Sequence, residues 1–128
     1  MKFGYTILFV PNVTAAIEFY ERAFDVPRRF IHESGQYAEL ETGATTLAFA
    51  AEDFVSSTSP FRPNRPDTPP AGAEIAFLAD DVAQSYQRAL AAGAHPVFAP
   101  EQKPWGQTVS YVRDLNGFLV EICSPVTA

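Results

Sequence analysis

Residues 5–24, YTILFVPNVTAAIEFYERAF, and residues 74–93, EIAFLADDVAQSYQRALAAG, decide the fold because the second stretch repeats the pattern of the first. Each begins with an apolar run typical of a strand and continues with apolar residues at helical spacing. Asn12 and Asp81 stand between these two parts, where a short side-chain oxygen can cap the first turn of a helix. The chain therefore contains two copies of one strand–helix unit.

The remainder of each copy has the character of short strands separated by turns. Strands are predicted over 28–32, 37–41 and 45–50 in the first copy, and over 96–99, 108–113 and 118–123 in the second. The segment from Asp114 to Gly117 is typical of a hairpin turn, since asparagine and glycine accept positive φ. The sequence thus predicts an α+β fold made of two tandem βαβββ modules.

Residues 52–72 differ from both modules and are interpreted as a linker. Five prolines lie between Pro60 and Pro70, and proline lacks a backbone donor, so neither a helix nor a central strand is expected here. Phe54 and Phe61 are unusual in a solvated linker, which indicates that the segment also forms one rim of a pocket. The expected organisation is one domain over 1–128, with module one at 1–51 and module two at 73–128.

The composition favours a cytoplasmic protein that binds neither nucleic acid nor a membrane. The formal net charge is -6 and there is no basic stripe, which a nucleic-acid binder would need. Cys123 is the single cysteine, so the chain has no disulfide framework, as is usual in a reducing compartment. No apolar run approaches the ~20 residues of a membrane helix, and the first residues do not have the pattern of a signal peptide.

This order of elements resembles the vicinal oxygen chelate superfamily, which includes glyoxalase I, bleomycin-resistance proteins, fosfomycin-resistance enzymes and extradiol dioxygenases. The resemblance covers nearly the whole chain and rests on Val10-Pro11-Asn12-Val13 leading to Phe19-Tyr20, and on the stretch from Gly106-Gln107 through 113–117 to Glu121-Ile122. It implies the glyoxalase/bleomycin-resistance fold, in which the two modules form a cup-shaped, mostly antiparallel sheet around a small-molecule site.

The resemblance also implies where the metalloenzyme members would hold a metal. The four ligand positions fall on Tyr5, Ala48, Glu74 and Glu121. Those members carry His or Gln, Glu, His and Glu at these positions, whereas alanine offers no ligand and a phenol with a pKa near ~10 rarely ionises at neutral pH. His32 and His95, the only histidines, stand at none of the four positions. We therefore expect no metal and no cofactor.

Residues that face into such a cup form the predicted ligand site. Glu74 and Glu121 would meet in an apolar cavity, where burial and mutual repulsion raise a carboxylate pKa and let the pair share a proton. Trp105 precedes a strand in a turn-like stretch, where an aromatic face can stack on a planar or cationic molecule. The predicted ligand-binding residues are Tyr5, Phe49, Glu74, Trp105, Tyr111 and Glu121. Two alternatives stay open: the carboxylates are satisfied by backbone N–H groups, Arg28, Arg29 or water, and the strand aromatics are simply core.

The leading interpretation is a small-molecule binding protein that sequesters an antibiotic- or metabolite-sized ligand without metal, similar to the bleomycin-resistance branch. The alternative is a glyoxalase-type lyase or isomerase, or another metal-dependent enzyme of the superfamily, with a degenerate metal site. A third hypothesis is a protein-interaction or regulatory module that has kept only the fold. Open strand edges favour a homodimer, because pairing removes an exposed edge. The linker is long enough to leave exchange of modules between chains open.

Overall fold

The computed structural model describes residues 1–126 and divides the chain into two compact units, Met1–Pro63 and Asn64 onward. Both units follow the order strand, helix, three strands, and the first ends with one additional short helix. The predicted α+β fold with two βαβββ modules is therefore confirmed. Within these described residues, no helix combines the length and the apolar character that crossing a membrane requires.

The first unit is a four-stranded sheet with a helix packed on it. Its elements are β1 (Tyr5–Val10), α1 (Val13–Phe24), β2 (Arg28–Ile31), β3 (Tyr37–Leu40), β4 (Thr46–Ala51) and α2 (Glu52–Val55). The strand order is β1-β4-β3-β2, in which β1 runs parallel to β4 and the other two pairs are antiparallel. The sheet is thus mostly antiparallel, as predicted.

Helix α1 begins where the sequence places its cap. The Asn12 side chain accepts a hydrogen bond from the Ala15 N–H at 2.9 Å, which satisfies one of the free donors of the first turn. Asp25 ends the helix with φ 55°, a left-handed conformation that aspartate tolerates better than most residues. The helix packs on β2, β3 and β4. Its buried residues form a large part of the core of this unit: Val13, Ala16, Ile17, Phe19, Tyr20 and Ala23.

The second unit repeats this arrangement. Its elements are β5 (Glu74–Leu78), α3 (Val82–Ala91), β6 (His95–Gln102), β7 (Thr108–Arg113) and β8 (Leu119–Cys123). The strand order is β5-β8-β7-β6, again with one parallel pair, β5 with β8. Asp81 caps α3 by accepting from the Gln84 N–H at 3.0 Å. Strand β6 is longer than predicted and continues through Pro96 and Pro100, because an edge strand need not donate every N–H to a neighbour.

The strand registers match the two units residue by residue. Ala48 pairs with the third residue of β1, and Glu121 pairs with the third residue of β5. Tyr5 and Glu74 are the first residues of the same two strands. Hence Tyr5 corresponds to Glu74 and Ala48 corresponds to Glu121, in agreement with the repeat found in the sequence.

The two edge strands β2 and β6 match in the same way. Strand β2 has one register shift against β3, at Arg29, and β6 has two against β7, the first of them at Val97. A bulge re-aims the side chain that it carries. The two units therefore place a guanidinium and an isopropyl group at corresponding points.

The linker contains a helix that the sequence analysis did not predict. Helix α2 directly follows β4, and the first proline of the linker, Pro60, lies beyond its end. The expectation that no helix forms over 52–72 was therefore wrong for residues 52–55. Further along, Phe61 packs against Phe9 of the same unit with ring centroids 4.8 Å apart, which accounts for an aromatic residue in this segment.

Residues 65–68, which we call the strap, are held against the β7–β8 hairpin of the second unit. The Arg113 guanidinium donates to the carbonyl oxygens of Arg65 at 3.0 Å, Pro66 at 3.0 Å and Thr68 at 2.6 Å. Gly117 in the hairpin has φ +90°, and a Cβ added there would lie 2.5 Å from the Arg65 carbonyl. The close approach of two backbones thus requires glycine at this position.

Candidate functional site

Three predicted site residues meet on one face of the second sheet. Strand β8 lies between β5 and β7, so Glu121 pairs with Ala76 on one side and with Tyr111 on the other. Glu74 lies two residues before Ala76 and therefore on the same face. Val112 and Val120 alternate to the opposite face, are fully buried and belong to the core beneath α3. The polar groups are thus on the face that the helix leaves open.

Glu74 and Glu121 form a hydrogen-bonded pair of carboxyl groups. This hydrogen bond, together with the partial loss of solvent around an otherwise exposed side chain and the charge of Glu121, raises the pKa of Glu74 from 4.5 to about 7. Two carboxylates so close resist ionising together, and the shared proton relieves their repulsion. Near pH 7 the Glu74 carboxyl is therefore protonated in about half of the molecules, so this group can either donate or accept a hydrogen bond.

Tyr111 is the third member of this group. Its hydroxyl donates to Glu121 Oε1 at 3.1 Å. Burial first, then the hydrogen bond to Glu121 and the Glu121 charge, raises the pKa of Tyr111 to about 12. The phenol consequently stays protonated and acts as a fixed donor to the carboxylate.

A second chain of polar contacts connects the pair to Trp105. The Trp105 indole donates through Nε1 to Gln107 Oε1 at 2.8 Å, and Gln107 Nε2 donates to the Ser124 carbonyl at 2.9 Å. The Cys123 thiol donates to the Phe77 carbonyl at 3.7 Å and lies beside both Glu121 and Gln107, and its pKa is raised to about 11, mainly by burial. The thiol is therefore neutral at physiological pH. The Trp105 side chain is connected to the carboxyl pair through these contacts and is still 56% exposed.

Gln107 and Cys123 are the site residues that the sequence analysis missed. Each follows a predicted site residue by two positions, Gln107 after Trp105 and Cys123 after Glu121. In a strand, residues two apart point to the same face. That periodicity could have identified Cys123, whereas Trp105 lies before the start of β7, so nothing local predicted the Gln107 contact.

Tyr5 and Phe49, the remaining predicted site residues, belong to the first unit. Tyr5 is 57% exposed at the start of β1. Phe49 has no exposed surface and packs against Tyr20 of α1 at 4.9 Å between ring centroids. It follows Ala48, so strand alternation turns it toward the helix. Its position does not support the predicted contact with a ligand, and core packing accounts for it.

The first unit carries its own polar cluster, and this one contains a cation. Arg29 NH1 donates to Glu39 Oε1 at 3.1 Å and to Thr46 Oγ1 at 3.1 Å, and the Tyr37 hydroxyl donates to Glu39 Oε2 at 2.8 Å. Arg29 also forms two hydrogen bonds to Glu41. The Glu39 carboxylate, which is almost fully buried, is thus satisfied by one phenol and one guanidinium.

The four positions implied by the superfamily do not fit a transition-metal centre. Ala48 has no donor atom, and the hydrogen bond between Glu74 and Glu121 raises the pKa of Glu74, which favours a bound proton over a bound metal. Metal ligation would require that proton to leave. Over residues 1–126, no three His, Cys, Asp or Glu side chains form a group that could hold a metal ion.

Comparison with known proteins agrees with the observed fold. A sequence model described as the Glyoxalase/Bleomycin resistance protein/Dioxygenase superfamily matches residues 2–122. No curated protein matches the chain.

Solved structures with the same fold come from several bacteria. A glyoxalase-related enzyme from Fulvimarina pelagi is 19% identical with a TM-score of 0.82, over 98% of this chain and 88% of that one. TioX from Micromonospora sp. ML1 is 23% identical with a TM-score of 0.72, over 97% and 98%. A glyoxalase/bleomycin resistance protein/dioxygenase family enzyme from Burkholderia phytofirmans PsJN is 20% identical with a TM-score of 0.76, over 97% and 98%. At these identities the likeness shows the fold and not the function.

Proposed function

Because the chain belongs to the glyoxalase/bleomycin resistance protein/dioxygenase superfamily, we propose that it binds a small, planar organic cation without a metal. The observation that carries this proposal is the Glu74–Glu121 carboxyl pair on the open face of the second sheet. The pair is negatively charged at neutral pH and has Tyr111 beside it, with Trp105 connected through Gln107 and Cys123. It offers a charge, hydrogen-bond acceptors and an aromatic face within one unit.

The first unit supports a cationic ligand by internal comparison. There the Glu39 carboxylate accepts hydrogen bonds from the Tyr37 hydroxyl and from the guanidinium of Arg29. In the second unit Glu121, which corresponds to Ala48 and not to Glu39, also accepts a hydrogen bond from a tyrosine hydroxyl, and the residue that corresponds to Arg29 is Val97. The partners that the structure gives Glu121 are a hydroxyl, a carboxyl and a thiol, and no cation is among them. A ligand with an amidinium, guanidinium or ammonium group would supply the missing charge.

Trp105 supports a planar ligand. An exposed indole face attracts flat aromatic groups and cations, because the face of the ring carries partial negative charge. The indole is more than half exposed although its N–H is already bonded to Gln107. A ligand would therefore meet the face of the ring and need no hydrogen bond from it.

The experiment is isothermal calorimetry with benzamidinium and its neutral analogue benzamide. The cation should bind at least about tenfold more tightly, because hydrogen bonds to charged groups contribute about 1.5–3 kcal/mol. Glu121→Gln alone removes the neighbour that raises the pKa of Glu74, so Glu74 would still carry a charge. The double variant Glu74→Gln with Glu121→Gln should abolish the preference, whereas Glu33→Gln, at an exposed turn of the first unit, should leave it intact. Equal binding of the two probes, or binding of neither, contradicts the proposal.

The pH dependence provides a second test of the same proposal. Since the pKa of Glu74 is about 7, the pair gains negative charge as pH rises from 6 to 8. Affinity for benzamidinium should increase over this range, by no more than tenfold per pH unit for a single proton. Glu74→Gln should show a flat profile. A wild-type affinity that does not change between pH 6 and 8 would contradict a role for this pair.

We also propose that the chain forms a homodimer. Strands β1 and β5 are sheet edges, and both expose apolar side chains, among them Ile7 and Leu78. Pairing with a second copy would cover such edges. Light scattering at micromolar concentration should give twice the mass of one chain, and a strict monomer would refute the dimer.

A further inference from the structure

Trp105 lies in a tight loop that connects β6 to β7. The Gly106 N–H donates to the Lys103 carbonyl at 2.9 Å, and the Lys103 N–H donates to the Gln107 carbonyl at 2.7 Å. Gly106 has φ +92°, a conformation that glycine adopts without strain. The backbone of the loop is therefore closed on itself, but these bonds leave the indole free to rotate about its own side-chain bonds.

The side chain of Gln107 removes that freedom. Its oxygen accepts from Trp105 Nε1 at 2.8 Å, and its nitrogen donates to the Ser124 carbonyl at 2.9 Å. Ser124 is itself fixed, because its hydroxyl accepts from the Thr108 N–H at 2.8 Å and its N–H donates to the Thr108 carbonyl at 2.9 Å. The indole is thus tied through one amide to the end of strand β8.

A primary amide can make both contacts because it carries an acceptor and a donor on separate atoms. A carboxylate could accept from the indole but could not donate to the Ser124 carbonyl, and an apolar side chain could do neither. Two hydrogen bonds at opposite ends of one amide also determine which way round the amide lies. Both polar atoms of the Gln107 side chain are therefore occupied in connecting Trp105 to Ser124.

We propose that Gln107 is a positioning residue that holds the Trp105 indole in the orientation in which it stacks on a ligand. The inference rests on the proposed ligand site and adds to it a residue that need not touch the ligand. Ordering a rotamer-rich side chain opposes binding, and a side chain that is already ordered avoids this loss. Removing the tether should weaken binding about 2–10-fold without removing any direct contact.

The first measurement needs no ligand. Trp105 is the only tryptophan, so its time-resolved fluorescence anisotropy reports the motion of this one ring. Gln107→Met should add a fast depolarising component that is absent in the wild type, whereas Gln36→Met, at an exposed position of the first unit, should not. Gln107→Glu, which keeps an acceptor for the indole but loses the donor to Ser124, should fall between them. Identical anisotropy decays for Gln107→Met and the wild type would overturn the inference.

The second measurement is affinity for benzamidinium by calorimetry. Gln107→Met should bind about 2–10-fold more weakly, and the same substitution in a Trp105→Phe background should have no further effect, because the group that it positions is gone. A loss of affinity that persists in the Trp105→Phe background, or an unchanged affinity despite a mobile indole, would contradict the role. If the wild type binds no probe, the proposed function fails, while the anisotropy still decides whether Gln107 holds the indole.

Discussion

Replacing Gly117 by alanine tests most directly whether the strap lies in close contact with the β7–β8 hairpin. An alanine at φ +90° is strained by about 1–2 kcal/mol, whatever surrounds it. Here the new Cβ would in addition lie 2.5 Å from the Arg65 carbonyl carbon and oxygen, and 2.8 Å from the Pro66 nitrogen. These are backbone atoms, so the strap has to move as a whole.

The cost of that movement follows from what holds the strap. A shift that relieves the contact would lengthen the hydrogen bonds from Arg113 to the carbonyls of Arg65 and Pro66, both 3.0 Å. Hydrogen bonds to charged groups contribute about 1.5–3 kcal/mol, and partial exposure here places each near or below the lower value. We therefore expect Gly117→Ala to lower the free energy of unfolding by about 3–4 kcal/mol.

Gly43→Ala is the matched control. Gly43 has φ +87°, nearly the same as Gly117, but an added Cβ would find nothing within 4 Å. This variant should lose only the strain of about 1–2 kcal/mol. Urea unfolding followed by far-UV circular dichroism measures both values, with an unchanged slope confirming comparable transitions. Equal destabilisation by the two variants would refute the close approach of the strap to the hairpin.

Three further predictions concern stability and composition. The pKa of Glu74 is raised in the folded state, so the stability that its proton contributes is complete below pH 4.5 and is lost as pH rises through about 7. Glu74→Gln should remove this pH dependence from the free energy of unfolding. The change should be less than about 1 kcal/mol, because solvent screens this exposed side chain. Phe49→Ala should lower the free energy of unfolding by about 3–5 kcal/mol, since the ring is fully buried. Tyr5→Ala should change it by under about 1 kcal/mol. Similar losses for the two variants would contradict the assigned burial. Elemental analysis should find far less than one transition metal per chain, because Ala48 offers no ligand; close to one metal per chain, lost on Glu121→Gln, would overturn the metal-free proposal.

The fold could be predicted because the features that specify it are local. Both helix starts depend on a single capping side chain, Asn12 or Asp81, and the contacts observed are with residues three positions further along. The repeat between the two modules could be predicted for the same reason, and it makes Tyr5 equivalent to Glu74 and Ala48 equivalent to Glu121. The register of the parallel pairs agrees with that correspondence.

Local patterns were less informative where a tertiary contact competes with them. The prolines of the linker led to the prediction that it contains no helix, whereas residues 52–55 form a short helix that packs on β4 and β1. Phe49 was included among the predicted site residues by its aromatic character, although its neighbour Ala48 already placed it on the other face of the strand.

What the sequence by itself determined is the order of elements and the superfamily, and it drew attention to the two acidic residues of the candidate site. Only the tertiary structure decided how those residues work together. Glu74 and Glu121 are 47 positions apart in the chain, and their shared proton depends on β5 and β8 being neighbours in the sheet. The tether from Trp105 through Gln107 to Ser124, and the strap under Arg113, likewise join segments that no local pattern relates. Periodicity and capping act over a few residues, whereas hydrogen bonds between side chains form wherever folding brings a donor to an acceptor.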